Sequence, residues 1–249
     1  MQTDRNILVT GAARGLGREI ALAIAKAGAF VIAADNDLDG ADQTVEIVQN
    51  EGGRARSQFV DLAEPGSIKD CVRTVAESEQ TLHGLVNNGA IATGIGGKDY
   101  SEIDIETWDR VMVVNVRAQW LIIKEATPLL EASGLGRIVN LASDTALWGA
   151  PNLLAYVASK GAVIAMTKSL SRELGPKGIG ITVVAPGILT TESTEYVPEE
   201  RHLHYHNNRA VPGPQSPQDV TGTIIFLLSE AALPLTGQTL PVNRGFVFT

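Results

Sequence analysis

The chain has 249 residues and carries 20 lysines and arginines against 28 aspartates and glutamates, a net charge of −8. This acidic balance argues against a nucleic-acid binder, which needs a basic face, and against binding to anionic membranes. The single cysteine, Cys71, excludes an internal disulfide framework and a cysteine-based zinc site. No apolar run approaches the roughly 18 residues of a membrane span. Residues 1–6 lack a signal-peptide pattern, so we expect a cytoplasmic protein.

Short apolar runs alternate along the whole chain with stretches in which apolar residues recur at helical spacing. We predict strands at 7–9, 30–34, 55–60, 85–88, 137–142, 179–185 and 239–242. We predict helices at 16–27, 41–50, 65–79, 108–131, 153–174 and 217–229. Almost wholly apolar strands that alternate with helices are typical of a parallel sheet covered on both faces. No linker or repeat interrupts the pattern, so we expect one doubly wound, Rossmann-like α/β domain over residues 1–249, with about seven strands.

Residues 188–217 form the one long stretch without a clear period. They contain four glutamates, three histidines and several prolines. A segment of this length inside a compact domain is usually a functional lid or binding loop. We therefore expect it to close over a substrate and to set substrate choice.

The first predicted strand runs into a glycine-rich turn and then into a helix. The turn reads Thr-Gly-Ala-Ala-Arg-Gly-Leu-Gly over residues 10–17. Such a turn directs backbone N–H groups and the positive end of the helix dipole at a pyrophosphate. Its G-x-x-x-G-x-G spacing differs from the common dinucleotide fingerprint. On spacing alone, an ordinary connection between a strand and a helix explains it equally well.

Asp35 ends the second predicted strand, at about the distance from the glycine turn where the ribose hydroxyls of NAD are held. A carboxylate at this point would repel the 2′-phosphate of NADP. The alternative is that Asp35 only caps the next helix, a task that Asn36 and Asp37 could share. Arg14 favours NADP, because a basic residue in the turn could reach that phosphate. We give the carboxylate more weight and expect NAD as the cofactor.

Tyr156 and Lys160 lie four residues apart in a predicted helix, and therefore on one face of it. A lysine ammonium beside a phenol favours the phenolate and lowers the tyrosine pKa from about 10 toward the working pH. A tyrosine tuned in this way can act as a general acid and base. The spacing alone is common in helices, so the pair defines a site only together with other residues, such as Ser143 upstream.

Together these motifs resemble those of the short-chain dehydrogenase/reductase family, over essentially the whole chain. The family's order is matched by the turn at 10–17, Asp35, Asp61–Leu62, Asn87–Asn88 and Pro186–Gly187. The resemblance implies that the catalytic residues are Asn115, Ser143, Tyr156 and Lys160. It implies cofactor contacts at Gly11, Arg14, Gly15, Leu16, Gly17, Asp35, Asp61, Leu62, Asn88, Tyr156, Lys160, Pro186, Gly187, Ile188 and Thr191.

The resemblance also implies how these residues act. Tyr156 exchanges a proton with the substrate hydroxyl or carbonyl, and Lys160 lowers the pKa of Tyr156 and holds the nicotinamide ribose. Ser143 hydrogen-bonds the reacting oxygen, where charge develops, and Asn115 supports a water relay to Lys160. The hydride passes between the substrate carbon and the nicotinamide. The helices at 108–131 and 153–174 are the family's usual subunit interfaces, so we expect a homotetramer or homodimer.

Two features depart from the family's pattern. Gly89 and Ala90 follow the paired asparagines in the reverse of the usual order, which predicts a shifted backbone near the adenine ribose. The usual acidic residue followed by two glycines near the C-terminus is replaced by Asn243, Arg244 and Gly245. This second departure concerns the contacts of the C-terminus and leaves the chemistry in place.

The expected substrate pocket contains Ser143, Asp144, Trp148, Tyr156 and Tyr196, with Asn152 and Tyr205 as further candidates. His202, His204 and His206 would share a face on a strand and could then bind a metal. The implied chemistry needs no metal, so we expect no metal site. We expect an NAD-dependent enzyme acting on a secondary alcohol or ketone, or a related alcohol or aldehyde. An NADPH-dependent carbonyl reductase and a non-catalytic cofactor-binding sensor are the alternatives.

Overall fold

The computed structural model describes residues 4–195 and 197–249. Its centre is one seven-stranded sheet in which all neighbouring strands pair in parallel. The strands are β1 (Asn6–Thr10), β2 (Phe30–Asp35), β3 (Arg54–Phe59), β4 (Gly84–Asn87), β5 (Arg137–Leu141), β6 (Gly180–Pro186) and β7 (Thr239–Val242). Each predicted strand agrees with the observed one to within a residue at either end.

Helices cover both faces of the sheet. They are α1 (Gly15–Lys26), α2 (Leu38–Asn50), α3 (Pro65–Glu79), α4 (Ile105–Met112), α5 (Ala118–Ala132), α6 (Thr145–Trp148), α7 (Leu154–Leu174), α8 (Glu199–Asn208) and α9 (Gln218–Leu227). Successive β1 residues alternate between faces: Ile7 packs in the core that contains α1 and α9, and Leu8 in the core that contains α3 and α5. Because both faces are covered, the central strands are mostly apolar, and this is why the sequence predicted them.

The strand order is β3-β2-β1-β4-β5-β6-β7, so the chain direction across the sheet reverses between β1 and β4. In open α/β sheets, ligands bind outside the carboxyl ends of the strands at such a switch point. The connections that leave β1 and β4 carry the glycine turn and the paired asparagines. The topology therefore places both motifs at one crevice.

The prediction of one regular α-helix over 108–131 is wrong. Five residues, Val113–Arg117, form a π-helical stretch between α4 and α5, closed by a bond from the Ala118 amide to the Val113 carbonyl. A π-helical turn inside a longer helix inserts one extra residue and often marks a functional site. The stretch contains Asn115, whose side chain is buried.

The prediction that residues 188–217 are irregular is also wrong in part. A short 3₁₀ turn occupies Glu192–Thr194, and the ten residues of α8 follow Pro198. Proline before the first turn and acidic residues within it are favourable at a helix start. In the part of the chain that the structure describes, no helix combines the length and apolar character needed to cross a membrane.

Candidate active site

One cleft of about 1250 Å³ opens along the carboxyl ends of the strands. Asp35 and Asp61 line one part of it, Ser143, Tyr156 and Lys160 line another, and α8 lines a third through residues that include His204 and Tyr205. Its volume exceeds the few hundred to roughly 1,000 Å³ of a pocket for one drug-sized molecule. The cleft can therefore accommodate a dinucleotide together with a substrate.

The glycine turn is a close-packed backbone cradle. Gly11 has φ +66, and a Cβ added to it would lie 2.6 Å from the Gly89 Cα. A Cβ on Gly17 would lie 1.8 Å from the Gly11 carbonyl oxygen. These contacts leave room only for glycine and expose the N-terminus of α1 to the cleft, as a pyrophosphate requires. The residues present therefore fit a dinucleotide cofactor.

Asn88 stabilises the glycine turn through hydrogen bonds to its backbone. Its Nδ2 donates to the carbonyls of Thr10, at 3.1 Å, and Gly11, at 3.0 Å. The Thr10 hydroxyl accepts from the amides of Asn88 and Gly89, both at 3.1 Å. The reversed Gly-Ala order has a local reason, because a Cβ at position 89 would lie 2.6 Å from the Leu62 Cδ1. Glycine at 89 lets the connection after β4 pack directly on the turn after β1.

Asp35 lines the cleft and does not cap the following helix. The cap of α2 is Asp37, whose carboxylate accepts from the Gly40 amide at 3.0 Å. The Asp35 carboxylate accepts from the amides of Ala13 and Asp37, both at 3.0 Å. These two bonds hold it against the glycine turn. The interpretation of Asp35 as a helix cap is therefore wrong, and exposed Arg14 lines the same part of the cleft.

Tyr156 and Lys160 both face the cleft from α7. The Lys160 Nζ lies 5.5 Å from the centroid of the Tyr156 ring and donates to the Leu141 carbonyl at 2.7 Å. Lys160 is buried, and burial lowers its pKa to about 8. This still leaves most of the ammonium protonated at neutral pH, so a positive charge lies beside the phenol.

Ser143 follows β5 and is almost buried at the edge of the cleft. Its Oγ accepts a hydrogen bond from the Thr145 Oγ1 at 2.9 Å and a longer one from the Thr145 amide at 3.3 Å. Both lone pairs are then occupied, and the Ser143 hydrogen is available to an oxygen in the cleft. Sequence reasoning missed Thr145, although a hydroxyl two residues from the serine is the signal that could have found it.

Asn115 supports the site from outside the cleft wall. Its amide accepts from the Ile91 amide at 2.7 Å and donates to the Ile91 carbonyl at 3.0 Å. It also donates to the Ser159 Oγ at 3.1 Å, and that hydroxyl donates to the Tyr156 carbonyl at 2.7 Å. Asn115 thus ties the chain after β4 to the helix that carries Tyr156 and Lys160. The water relay through Asn115 stays a prediction.

The remaining predicted site residues divide into three groups. Those that line the cleft are Gly11, Gly15, Leu16, Gly17, Asp61, Leu62, Asn88, Trp148, Asn152, Pro186, Gly187, Ile188, Thr191 and Tyr205. The prediction that Asp144 lines the substrate pocket is wrong. Asp144 is fully buried behind the wall of the cleft, where Tyr205 and Asn243 bind its carboxylate. Tyr196 lies outside the described residues. Arg201 lines the cleft and was not predicted.

The three histidines lie on α8, where successive side chains are about 100° apart. They therefore do not share the single face that a strand would have given them. His204 lines the cleft, and His202 lies 3.3 Å from the Thr194 carbonyl through its Nε2. The described residues contain no group of three His, Cys, Asp or Glu side chains that could hold a metal ion. Independence from metals stays a prediction.

Comparison with known proteins identifies the class. A family model described as enoyl-(acyl carrier protein) reductase matches residues 11–247. A 3-oxoacyl-(acyl-carrier-protein) reductase of Staphylococcus aureus is 31% identical over 247 residues, covering 98% of this chain and 99% of that protein. A cyclohexanol dehydrogenase of Acinetobacter is 32% identical over 239 residues, covering 96% and 93%.

Solved structures agree with the sequence comparisons. A protein of Beutenbergia cavernae, proposed to be an NAD(P)-dependent gluconate 5-dehydrogenase and solved with NADP at low occupancy, superposes with a TM-score of 0.92. It is 32% identical, and the match covers 98% of this chain and 97% of that one. The chain belongs to the short-chain dehydrogenase/reductase family. It is therefore an oxidoreductase of the kind that binds a nicotinamide cofactor.

Proposed function

We propose that this protein is an NAD-dependent dehydrogenase that interconverts a secondary alcohol and its ketone, or a related alcohol and aldehyde. The observation that carries the proposal is one continuous cleft lined by Asp35 and the glycine turn as well as by Ser143, Tyr156 and Lys160. The cyclohexanol dehydrogenase among the relatives supports the substrate class. A non-catalytic sensor would have no need of the Ser, Tyr and Lys set.

The chain's own residues account for the proton chemistry. When bound, the nicotinamide ring accepts or supplies the hydride. The Tyr156 phenolate takes the proton of the substrate alcohol, and in the reverse direction the Tyr156 hydroxyl donates it to the carbonyl oxygen. The Lys160 ammonium stabilises the phenolate form through its charge. The Ser143 hydroxyl donates to the substrate oxygen as negative charge develops there.

The cofactor preference is proposed from the position of Asp35. Its carboxylate is held by two amides at the part of the cleft beside the glycine turn. A 2′-phosphate at the adenosine ribose would meet this negative charge, whereas ribose hydroxyls can donate to it. NADP is the second candidate, because Arg14 lines the same part of the cleft and the Beutenbergia cavernae structure contains NADP.

A matched pair of variants tests the preference for NAD. Secondary alcohols and polyols are screened with NAD⁺ and NADP⁺, with the absorbance of the reduced cofactor as the signal. We expect a higher kcat/KM with NAD⁺, and we expect Asp35→Ala to weaken NAD binding and reduce the discrimination. Asp37→Ala removes a neighbouring carboxylate that caps α2, so it should leave the preference unchanged. Equal or better efficiency of the wild type with NADP⁺ would show that Arg14 dominates.

We also propose that the protein assembles as a homotetramer or homodimer. A shallow apolar groove runs along the helices that the family uses for assembly. It is lined by Asp109, Met112, Val113, Val116, Arg117, Trp120 and Met166. Trp120 is 46% exposed in the single chain. A large exposed aromatic side chain in an apolar groove is typical of an interface between subunits.

A further inference from the structure

Asp144 is a buried carboxylate that the proposed proton chemistry does not use. It follows Ser143 directly, and its side chain is fully buried. Burial raises the pKa of Asp144 to about 6. A buried carboxylate is retained only where donors satisfy it. The identity of those donors therefore indicates what the residue does.

The donors come from two distant parts of the chain. The Tyr205 hydroxyl, on α8, donates to the Asp144 Oδ1 at 2.7 Å. The Asn243 Nδ2, just after β7, donates to the Oδ2 at 3.3 Å. A Cβ on Gly187, which lines the cleft, would lie 3.1 Å from the same Oδ2. The carboxylate therefore lies directly beneath the cleft wall, between the segment that carries Ser143 and the helix over the cleft.

Tyr205 is the attachment point of α8. Within α8, all of which lies in the described part of the chain, it is the one buried residue. Its ring stacks on Phe246, with centroids 4.1 Å apart, and its hydroxyl accepts from the Trp148 Nε1 at 3.2 Å. The same hydroxyl thus binds Asp144 below and the indole of Trp148 at the edge of the cleft.

Two arginines make further hydrogen bonds toward the ends of α8. Arg201, in the first half of the helix, donates to the Pro151 carbonyl at 2.8 Å. Arg209, just past the last turn, donates to the carbonyls of Ile188 and Gly213, both at 2.8 Å. Neither of these bonds involves Trp148. The indole also contacts the rings of His204 and Phe246, with centroids 5.7 Å away in each case. The Tyr205 hydroxyl adds the directional hydrogen bond to these ring contacts.

We propose that Tyr205 is a positioning residue of the substrate site: through its bond to Asp144 it fixes α8 and the Trp148 indole over the cleft beside Ser143. The consequence for turnover rests on the proposed dehydrogenase function. The glycine turn and Asp35, which would hold the cofactor, make no contact with Tyr205 among the described residues. Loss of the hydroxyl should therefore weaken the binding of substrate and not that of the cofactor.

The test replaces Tyr205 by phenylalanine, which keeps the ring stacked on Phe246 and removes only the oxygen. His206→Ala, an exposed residue of the same helix, is the matched control. At saturating NAD⁺, we expect the substrate KM of Tyr205→Phe to rise about tenfold, the loss expected for one hydrogen bond to a charged group. We expect kcat and the Kd for NADH to change by less than about threefold. The control should match the wild type.

A second measurement is independent of turnover. With Trp108→Phe and Trp120→Phe, Trp148 becomes the only tryptophan of the chain. In this background, acrylamide should quench the Trp148 fluorescence about twice as strongly when Tyr205→Phe is added, because the indole N–H loses its hydrogen bond to the Tyr205 hydroxyl. Circular dichroism checks that each variant is folded.

A double-variant cycle assigns the effect to the bond itself. If Tyr205 acts through Asp144, Tyr205→Phe with Asp144→Asn should raise KM little beyond the larger single effect. Additive effects, an unchanged quenching constant, or a loss confined to kcat or NADH binding would each overturn the proposal. A wild-type enzyme inactive with every alcohol would overturn the proposed function, and the quenching result would still decide whether Tyr205 holds Trp148.

Discussion

At the scale of single residues, the proposed mechanism assigns the proton transfer to Tyr156. Tyr156→Phe removes its oxygen and leaves the ring, which packs with the partly buried Trp108 and Leu153. We expect turnover to be abolished while the fold and the Kd for NADH are retained. Steady-state kinetics and fluorescence titration of NADH measure the two effects. Activity within tenfold of the wild type, a barrier change of only about 1.4 kcal/mol, would exclude Tyr156 as the acid and base.

Asp144 should make stability depend on pH in an unusual direction for a carboxylate. Its pKa is about 6 in the folded protein and about 3.9 when unfolded. The folded state therefore binds the proton more tightly, and its stability falls as the pH rises through this window. Tyr205, Asn243 and the guanidinium of Arg209 face the carboxylate and limit the effect.

We expect the stability of Asp144→Asn relative to wild type to increase from pH 4 to pH 7, by at most about 3 kcal/mol. Urea unfolding at several pH values measures the difference. The slope with pH is the informative quantity, because the amide also disturbs the bond to Asn243 at every pH. A relative stability that is flat or falls over this window would show that Asp144 stays ionised in the folded protein.

Single residues also mark the limits of what the sequence predicted. Motif and order allowed the sequence to predict that Ser143, Tyr156, Lys160 and Asp35 belong to one site, and the structure brings all four to one cleft. The burial of Asp144 could not be predicted, because an aspartate is normally exposed and its partners Tyr205 and Asn243 are 61 and 99 residues away in sequence. Only the fold brings them together.

At the scale of secondary-structure elements, the cap of α2 should contribute to stability without affecting cofactor binding. The Asp37 carboxylate accepts from the Gly40 amide at the start of α2. Asp37→Ala should lower the free energy of unfolding by about 1 kcal/mol, as loss of an N-cap does. Chemical denaturation measures this, and NADH titration should show an unchanged Kd. A weakened Kd would mean that Asp37 itself contacts the cofactor.

Elements were predictable where burial imposes a period. The central strands are mostly apolar because both of their faces are covered, and α1 has a clear buried face. Helix α8 was not predicted because it buries only Tyr205 and, apart from the exposed Leu203, is otherwise polar, so it shows no apolar period. The π-helical stretch was not predicted, because one extra residue barely changes the apolar pattern of the helices on either side of it.

At the scale of the whole molecule, assembly is the property most open to test. If the groove beside Trp120 is a subunit interface, a glutamate there would replace the apolar contact of the indole with a charge that loses its hydration on assembly, a cost that Lys124 and Arg117 offset only in part. Trp120→Glu should therefore shift the protein to a smaller species, as measured by light scattering coupled to size-exclusion chromatography. Phe248→Glu is the control, because it places the same charge on a more exposed aromatic residue that does not line the groove. An unchanged mass for Trp120→Glu would place the interface elsewhere.

The π-helical stretch makes the length of the chain between α4 and α5 critical. Deleting one residue from Val113–Arg117 would remove the extra residue that the wide turn absorbs, so α4 would continue into α5 as a regular α-helix with little rotation between them. Val111 and Trp108 would keep their places in the cluster with Ala155 and Tyr156, but the turn that holds Asn115 against Ile91 and Ser159 would be lost. Homologues should therefore keep the asparagine at position 115 and the length of this stretch, and tolerate insertions and deletions there less readily than in any exposed loop.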